Sequence, residues 1–249
     1  MKYFFISLIL FLGAIHLVLA QSQVPEADHS LWHDLLQRHV THPGWVDYEG
    51  FNNDRNKLTS YLEELAVNAP LEDDLSDQAL AYWINAYNAF TIELILKHYP
   101  VESIRNIGSK IFIPKVSSPW DIRFIDLGGK TYDLNNIEHA ILRKKFKDPR
   151  MHFSIVCASR SCPRLRNEAY FADNVQLFLD QDVRLFVNDS SRNIISNKKI
   201  ELSKIFSWYK GDFIENGSLL KYLNQYSIVE IHPEAKITHL KYDWDLNKQ

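Results

Sequence analysis

The sequence predicts an α+β fold: a single globular domain whose helical N-terminal part includes a long buried central helix, packed on a small antiparallel or mixed sheet. Three observations lead there. Helical hydrophobic spacing dominates the first hundred residues, and short strand-like runs in hairpin order recur in the rest. No linker, repeat or low-complexity tract separates the two parts. Apolar residues make up 46% of the 249 and charged residues 24%, the balance of a chain that folds around a core.

The N-terminus is read as a targeting segment. Met1-Lys2 is a short basic start, residues 3–19 are almost wholly apolar, and Val18-Leu19-Ala20 precedes the polar Gln21. That is the form of a secretory signal peptide cleaved after Ala20. Residues 21–29 follow as a polar leader, and the domain spans 30–249. No cysteine follows the cleavage site, which argues against a lipid-modified terminus. No later segment has the length and apolarity of a membrane span, so no stable membrane insertion is expected after cleavage. Export, to a periplasm or beyond the cell, is the expected localisation. The net charge of −3 carries no basic excess, so nucleic acid is not an expected partner.

Residues 30–40 read as a helix with Leu31, Leu35 and Leu36 on one side. Residues 51–67 form a second, carrying Leu58, Tyr61, Leu62 and Leu65. The longest helix starts after Ser76, a plausible N-cap, and ends at His98 before Pro100. It is apolar nearly all round from Ala79 to Leu96 and so belongs at the centre. Residues 123–127 and 130–134 flank Gly128-Gly129, a two-residue hairpin signal. A helix over 135–146 and a buried strand over 152–157 come next, then a helix over 174–187. A short hairpin over 193–196 and 199–202, helical pieces at 205–209 and 218–226, and a last strand over 236–242 complete the chain.

Chemistry concentrates in Cys157-Ala158-Ser159-Arg160-Ser161-Cys162-Pro163, which holds both cysteines. In an exported protein two cysteines suggest a disulfide. An extended chain would part these two by about 16 Å, against the roughly 4.4–6.8 Å between α-carbons that a bridge allows. The intervening residues must then turn back. The alternatives are two free structural thiols, or a Cys157 thiolate nucleophile with His139 as its base. Asn135 reads as an N-cap with Glu138 at N3, which puts His139 in a first helical turn, where the dipole disfavours its protonation. Asn85 and Asn88 share one face of the central helix. They either satisfy the backbone of an irregular loop, with 117–121 as a natural partner, or orient a histidine or ligand. Arg160, Arg164 and Arg166 crowd the cysteine loop, with Arg143 on the preceding helix. They could hold an anion, or pair with Glu168, Asp173 or Asp180. A zinc site from His139, His152, Cys157 and Cys162 is disfavoured, because His152 and Cys157 would face opposite sides of a strand. No metal or other cofactor is expected, and GxSxG, HExxH and phosphate-loop motifs are absent.

Five stretches together resemble the family called domain of unknown function 547. They are Tyr82-Trp-Ile-Asn-Ala-Tyr-Asn-Ala89, Ile137-Glu-His-Ala-Ile-Leu-Arg143, His152-Phe-Ser-Ile-Val-Cys-Ala-Ser-Arg-Ser-Cys-Pro163, Leu202-Ser-Lys-Ile-Phe-Ser-Trp-Tyr209 and Lys241-Tyr-Asp-Trp-Asp-Leu-Asn247. The resemblance covers residue 75 to the end and implies one domain, frequently exported, with no settled activity. It places Asn85, Asn88, His139, Cys157 and Ser159 inside signature stretches without assigning them roles. Two functional expectations follow. One is a thiol-dependent hydrolase or acyl transferase, with Cys157 attacking, His139 as base, Asn85 orienting it, and Ser159, Arg160, Asn88 and Arg164 around the substrate. The other is a non-catalytic binding domain, in which a Cys157–Cys162 disulfide braces an arginine-bearing loop that grips a small anionic or peptide-like ligand.

Overall fold

The computed structural model describes residues 26–108, 118–215 and 217–249. The expected signal peptide and most of the expected polar leader lie outside the described residues. Helix α1 spans Ser30–His39, close to expectation. The helix expected over 51–67 is two, α2 (Tyr48–Asn53) and α3 (Arg55–Val67). It begins early because Asp47 accepts from the Gly50 amide at 2.8 Å as an N-cap. It breaks at Asp54, whose carboxylate holds His39 at 2.9 Å and Lys57 at 2.7 Å.

Helix α4 (Asp77–His98) is capped by Ser76, which accepts from the Ala79 amide. Every residue from Ala79 to Leu96 is buried, because α2, α3, the helix over Val175–Val187 (α5) and the helix over Asn136–Phe146 pack around it. An all-round apolar sequence requires that position. Among the described residues no helix is long and apolar enough to cross a membrane.

Strands β1 (Ile125–Leu127) and β2 (Lys130–Tyr132) form the expected hairpin. Gly128 and Gly129 both take positive φ, 56° and 75°, as a tight turn matched to strand twist demands. A second sheet runs in the order β3 (Ile194–Ile195), β4 (Lys199–Leu202) and β5 (Lys236–His239). It is mixed, with β4 antiparallel to β3 and parallel to β5. With the short helices α6 (Ile205–Trp208), α7 (Lys210–Phe213) and α8 (Leu219–Asn224), it surrounds a second apolar cluster around Phe153, Phe186, Phe206 and Phe213. The last strand stops at His239, which frees Tyr242 and Trp244 for the site described below.

Two segments depart from the sequence reading. Residues 136–146 are helical but wound as a π-helix, whose i→i+5 ladder turns less per residue than an α-helix. The expected Asn135 cap is absent. Asp133 takes that place, accepting from the Asn136 amide at 2.7 Å. Residues 152–157 are not a strand. A 3₁₀ turn covers Pro149–Phe153, and the buried stretch after it finds its hydrogen bonds on α4. Asn88 Nδ2 donates to the Ser154 carbonyl and the Val156 amide donates to Asn88 Oδ1, each at 2.9 Å. Asn85 does the same for residue 170, donating to the Tyr170 carbonyl at 2.7 Å and accepting from its amide at 3.1 Å. A segment served by side chains needs no ladder, which is why an apolar run here is not a strand. The partners are residues 154, 156 and 170, and not the described part of the expected loop, 118–121.

Asp182 on α5 closes the frame from the other side. Its carboxylate accepts from Ser154 Oγ at 3.0 Å and Tyr170 Oη at 2.5 Å, and pairs with Arg166 at 3.0 Å. The side chains of Ser154 and Tyr170 are thus fixed to α5 while their backbones are fixed to α4. The cysteine loop begins three residues after Ser154.

Candidate functional site

The cysteine loop turns back on itself at Ala158, which sits in the left-handed region at φ 59°. For a residue with a β-carbon that costs on the order of 1–2 kcal/mol, so the surroundings must hold it. The C-terminal tail does so. Ser159 bridges Leu246, the Asn247 amide donates to the Ala158 carbonyl at 3.1 Å, and the Arg160 amide donates to the Asp245 carbonyl at 2.8 Å. Arg192 donates to the Cys162 carbonyl at 2.6 Å from the other flank. The turn brings the α-carbons of Cys157 and Cys162 to 6.3 Å, and the two sulfurs are joined in a disulfide.

The bridge lies in the wall of a cavity of about 240 Å³. Tyr242 Oη lies 3.3 Å from Cys162 Sγ and 3.5 Å from Cys157 Sγ, and Ser159 Oγ is 3.2 Å from the same hydroxyl. Burial pushes the Tyr242 phenol up to about 12, so it serves as a neutral hydroxyl over the sulfurs. Trp120, Trp208, Tyr209 and Trp244 line the cavity further out, and Tyr87 reaches it from α4. The rings brace one another, Trp208 stacking on Trp244 at 5.6 Å and Tyr242 lying 4.5 Å from Trp244.

Two titratable groups face this aromatic space. His152 is buried, stacks on Tyr209 at 4.0 Å between centroids, and meets Asp212 Oδ2 at 2.7 Å through Nε2. Asp212 also receives a bidentate grip from Arg143, at 2.7 and 2.8 Å. Hydrogen bonding from His152, then from Arg143, holds its carboxyl well below the usual carboxylate range. Glu138 is the second group. It is buried on the π-helix, and its Oε2 accepts from Tyr87 Oη at 3.2 Å.

The residues singled out in the sequence scatter accordingly. Cys157 is in the cavity wall but bridged to Cys162, and Ser159 lies buried beside it. His139 is not among the lining residues. Its side chain is 40% exposed, and Arg143, which can only donate, reaches its Nδ1 at 3.1 Å. His139 is partly buried, and Glu138, read from the sequence as a helix cap, is the one that reaches the cavity. Glu138 shares the buried face with Ile137, Ile141 and Leu142. Asn85 and Asn88 hold backbone, as described. Arg164 and Arg166 are directed at Asp182, Arg166 also meets Glu168, and Arg160 lies 4.0 Å from Asp245. Nor do His152 and Cys157 face opposite sides, since without a strand both line the cavity. Sequence reasoning missed Glu138, His152, Tyr209, Tyr242 and Trp244 as site residues. All stand in the five quoted stretches, and that shared membership was the available signal.

Fold and site together define an α+β domain carrying an aromatic cavity with a disulfide in its wall. Residues 73–187 match the family model described as protein of unknown function, DUF547, and in that stretch the chain is similar to the family. No curated protein and no solved structure matches the chain.

Proposed function

We propose that this chain is an exported binding domain for a small organic molecule, with the aromatic cavity as its site and the Cys157–Cys162 bridge as its brace. The observation that carries this reading is convergence. Each of five stretches spread between residues 82 and 247 contributes side chains to one cavity. A preformed concave site with aromatic walls and a few placed polar groups suits small-molecule recognition. Of the two functional expectations, the binding domain fits better, although its ligand group changes. The loop arginines are engaged by Asp182, Glu168 and Asp245, so the cavity and not the arginine loop is the better receptor. Thiol catalysis is less well supported. It needs a free Cys157 thiolate and a base within reach, whereas the sulfur is bridged and His139 is engaged by Arg143. A bridged pair also suits an oxidising compartment, which supports export.

Ligand-observed NMR screening of a fragment library is expected to give hits that weaken in Trp208→Ala and in Trp244→Ala. Trp208 is half-exposed at 47%, so its removal leaves the core intact. An absence of hits, or hits that bind both variants unchanged, would overturn the reading.

A further inference from the structure

The cavity contains a buried acid with an unused oxygen. Glu138 is only 5% exposed, and its Oε1 has no hydrogen-bond partner. Its other oxygen is served by Tyr87. His139 Nδ1 lies 3.8 Å from Oε1 but accepts from Arg143, and Arg143 itself is committed to both oxygens of Asp212. Removing a carboxylate from water without a partner is costly, by several kcal/mol even after relaxation, so native proteins pair such groups. Tyr209 also acts on this carboxylate as a hydrogen-bonding hydroxyl, yet Oε1 itself is left without a partner at ordinary hydrogen-bond geometry.

The walls indicate what would complete the site. Tyr87, Trp120, Trp208, Tyr209, Tyr242 and Trp244 surround the same space. Aromatic faces carry the negative end of a quadrupole, which repels anions and attracts cations. A second acid is nearby, but Asp212 is already paired with Arg143 and His152. Glu138 is therefore the acid with an oxygen to spare, and the rings are of a kind that takes cations, since Arg143 and Arg105 already lie over Tyr209 and Trp244 at 5.0 and 5.2 Å. We propose that the cavity takes an organic ammonium ion, an amine or quaternary ammonium, with its charge against Glu138 and its carbon substituents on the aromatic rings. This rests on the reading of the cavity as a small-molecule site and names the ligand class.

Calorimetric titration with choline and with 3,3-dimethylbutan-1-ol, its neutral isostere, separates charge from shape. Choline is expected to bind saturably to the wild type, and the isostere roughly tenfold or more weakly. Glu138→Gln keeps the acceptor for Tyr87 and is expected to bring the two ligands close to equal affinity. Trp208→Ala is expected to weaken choline while keeping its advantage over the isostere. Equal binding of the two ligands to the wild type would overturn the ammonium assignment while leaving the small-molecule site standing. So would failure of choline, tetramethylammonium and simple primary amines to bind at about 10 mM while neutral or anionic fragments bind the cavity. Loss of all fragment binding would remove both readings. The wild-type comparison decides the matter even if Glu138→Gln fails to fold.

Discussion

Asp182→Ala is expected to lower the unfolding free energy by about 3–5 kcal/mol, the cost of breaking one side of a buried ion pair. Arg166, whose side chain is 5% exposed, would lose the carboxylate 3.0 Å away, and Ser154 Oγ and Tyr170 Oη would each lose an acceptor. For a domain of this size the shift in Tm is roughly 10 °C. Burial outweighs the attraction of Arg166 and pushes the Asp182 carboxyl up, so the pair itself is not a strong net stabiliser. The damage comes from what is left unpaired. Replacing Asp182 and Arg166 together with apolar residues of similar size should therefore recover much of the loss. Urea melts of the single and double variants measure this. A single-variant loss under about 1 kcal/mol would show that the frame between α4 and α5 does not depend on Asp182.

Acidification is expected to destabilise the protein through His29. Its ring is 5% exposed, lies against Tyr61, Tyr82 and Phe171, and meets Tyr61 Oη at 2.8 Å. Burial holds its pKa down at about 4, against an ordinary value near 6.5, despite the opposing pull of Asp28. The unfolded chain therefore binds a proton in this window that the folded chain refuses. The neutral ring's contribution is complete above pH 6.5 and is lost as pH falls from there to about 4. By pH 4 the loss is about 3 kcal/mol from this one group. His29→Gln should flatten that limb, so the wild-type advantage at pH 7 over pH 4 shrinks by about that amount. Parallel pH profiles for the two proteins, from urea melts across the range, would contradict the assignment.

What was legible in the sequence follows from how local each signal is. Ser76, the apolar run behind it and Pro100 delimit α4 within the chain, and Gly128-Gly129 alone calls for the hairpin turn. The segment 152–157 was misread because its hydrogen-bond partner is one asparagine, Asn88, 66 to 68 residues away, and no local pattern records that. Glu138 faces the cavity because it falls on one helix face with Ile137, Ile141 and Leu142, a spacing readable in the sequence but set aside in favour of a capping role. Asn85 and Asn88 had to be hydrogen-bonded to something definite, and are, but to carbonyls and amides of residues 154, 156 and 170. The cysteine loop could be judged capable of closing. That it closes against Tyr242 and the C-terminal tail is a tertiary fact.

The central claim is that the cysteine pair braces a binding cavity and is not a nucleophile. Intact mass after unfolding in guanidinium with excess iodoacetamide and no reductant tests it most directly. The account predicts no alkyl adduct, with two appearing only after reduction of Cys157–Cys162. Adducts on Cys157 and Cys162 without reductant would show free thiols and contradict it.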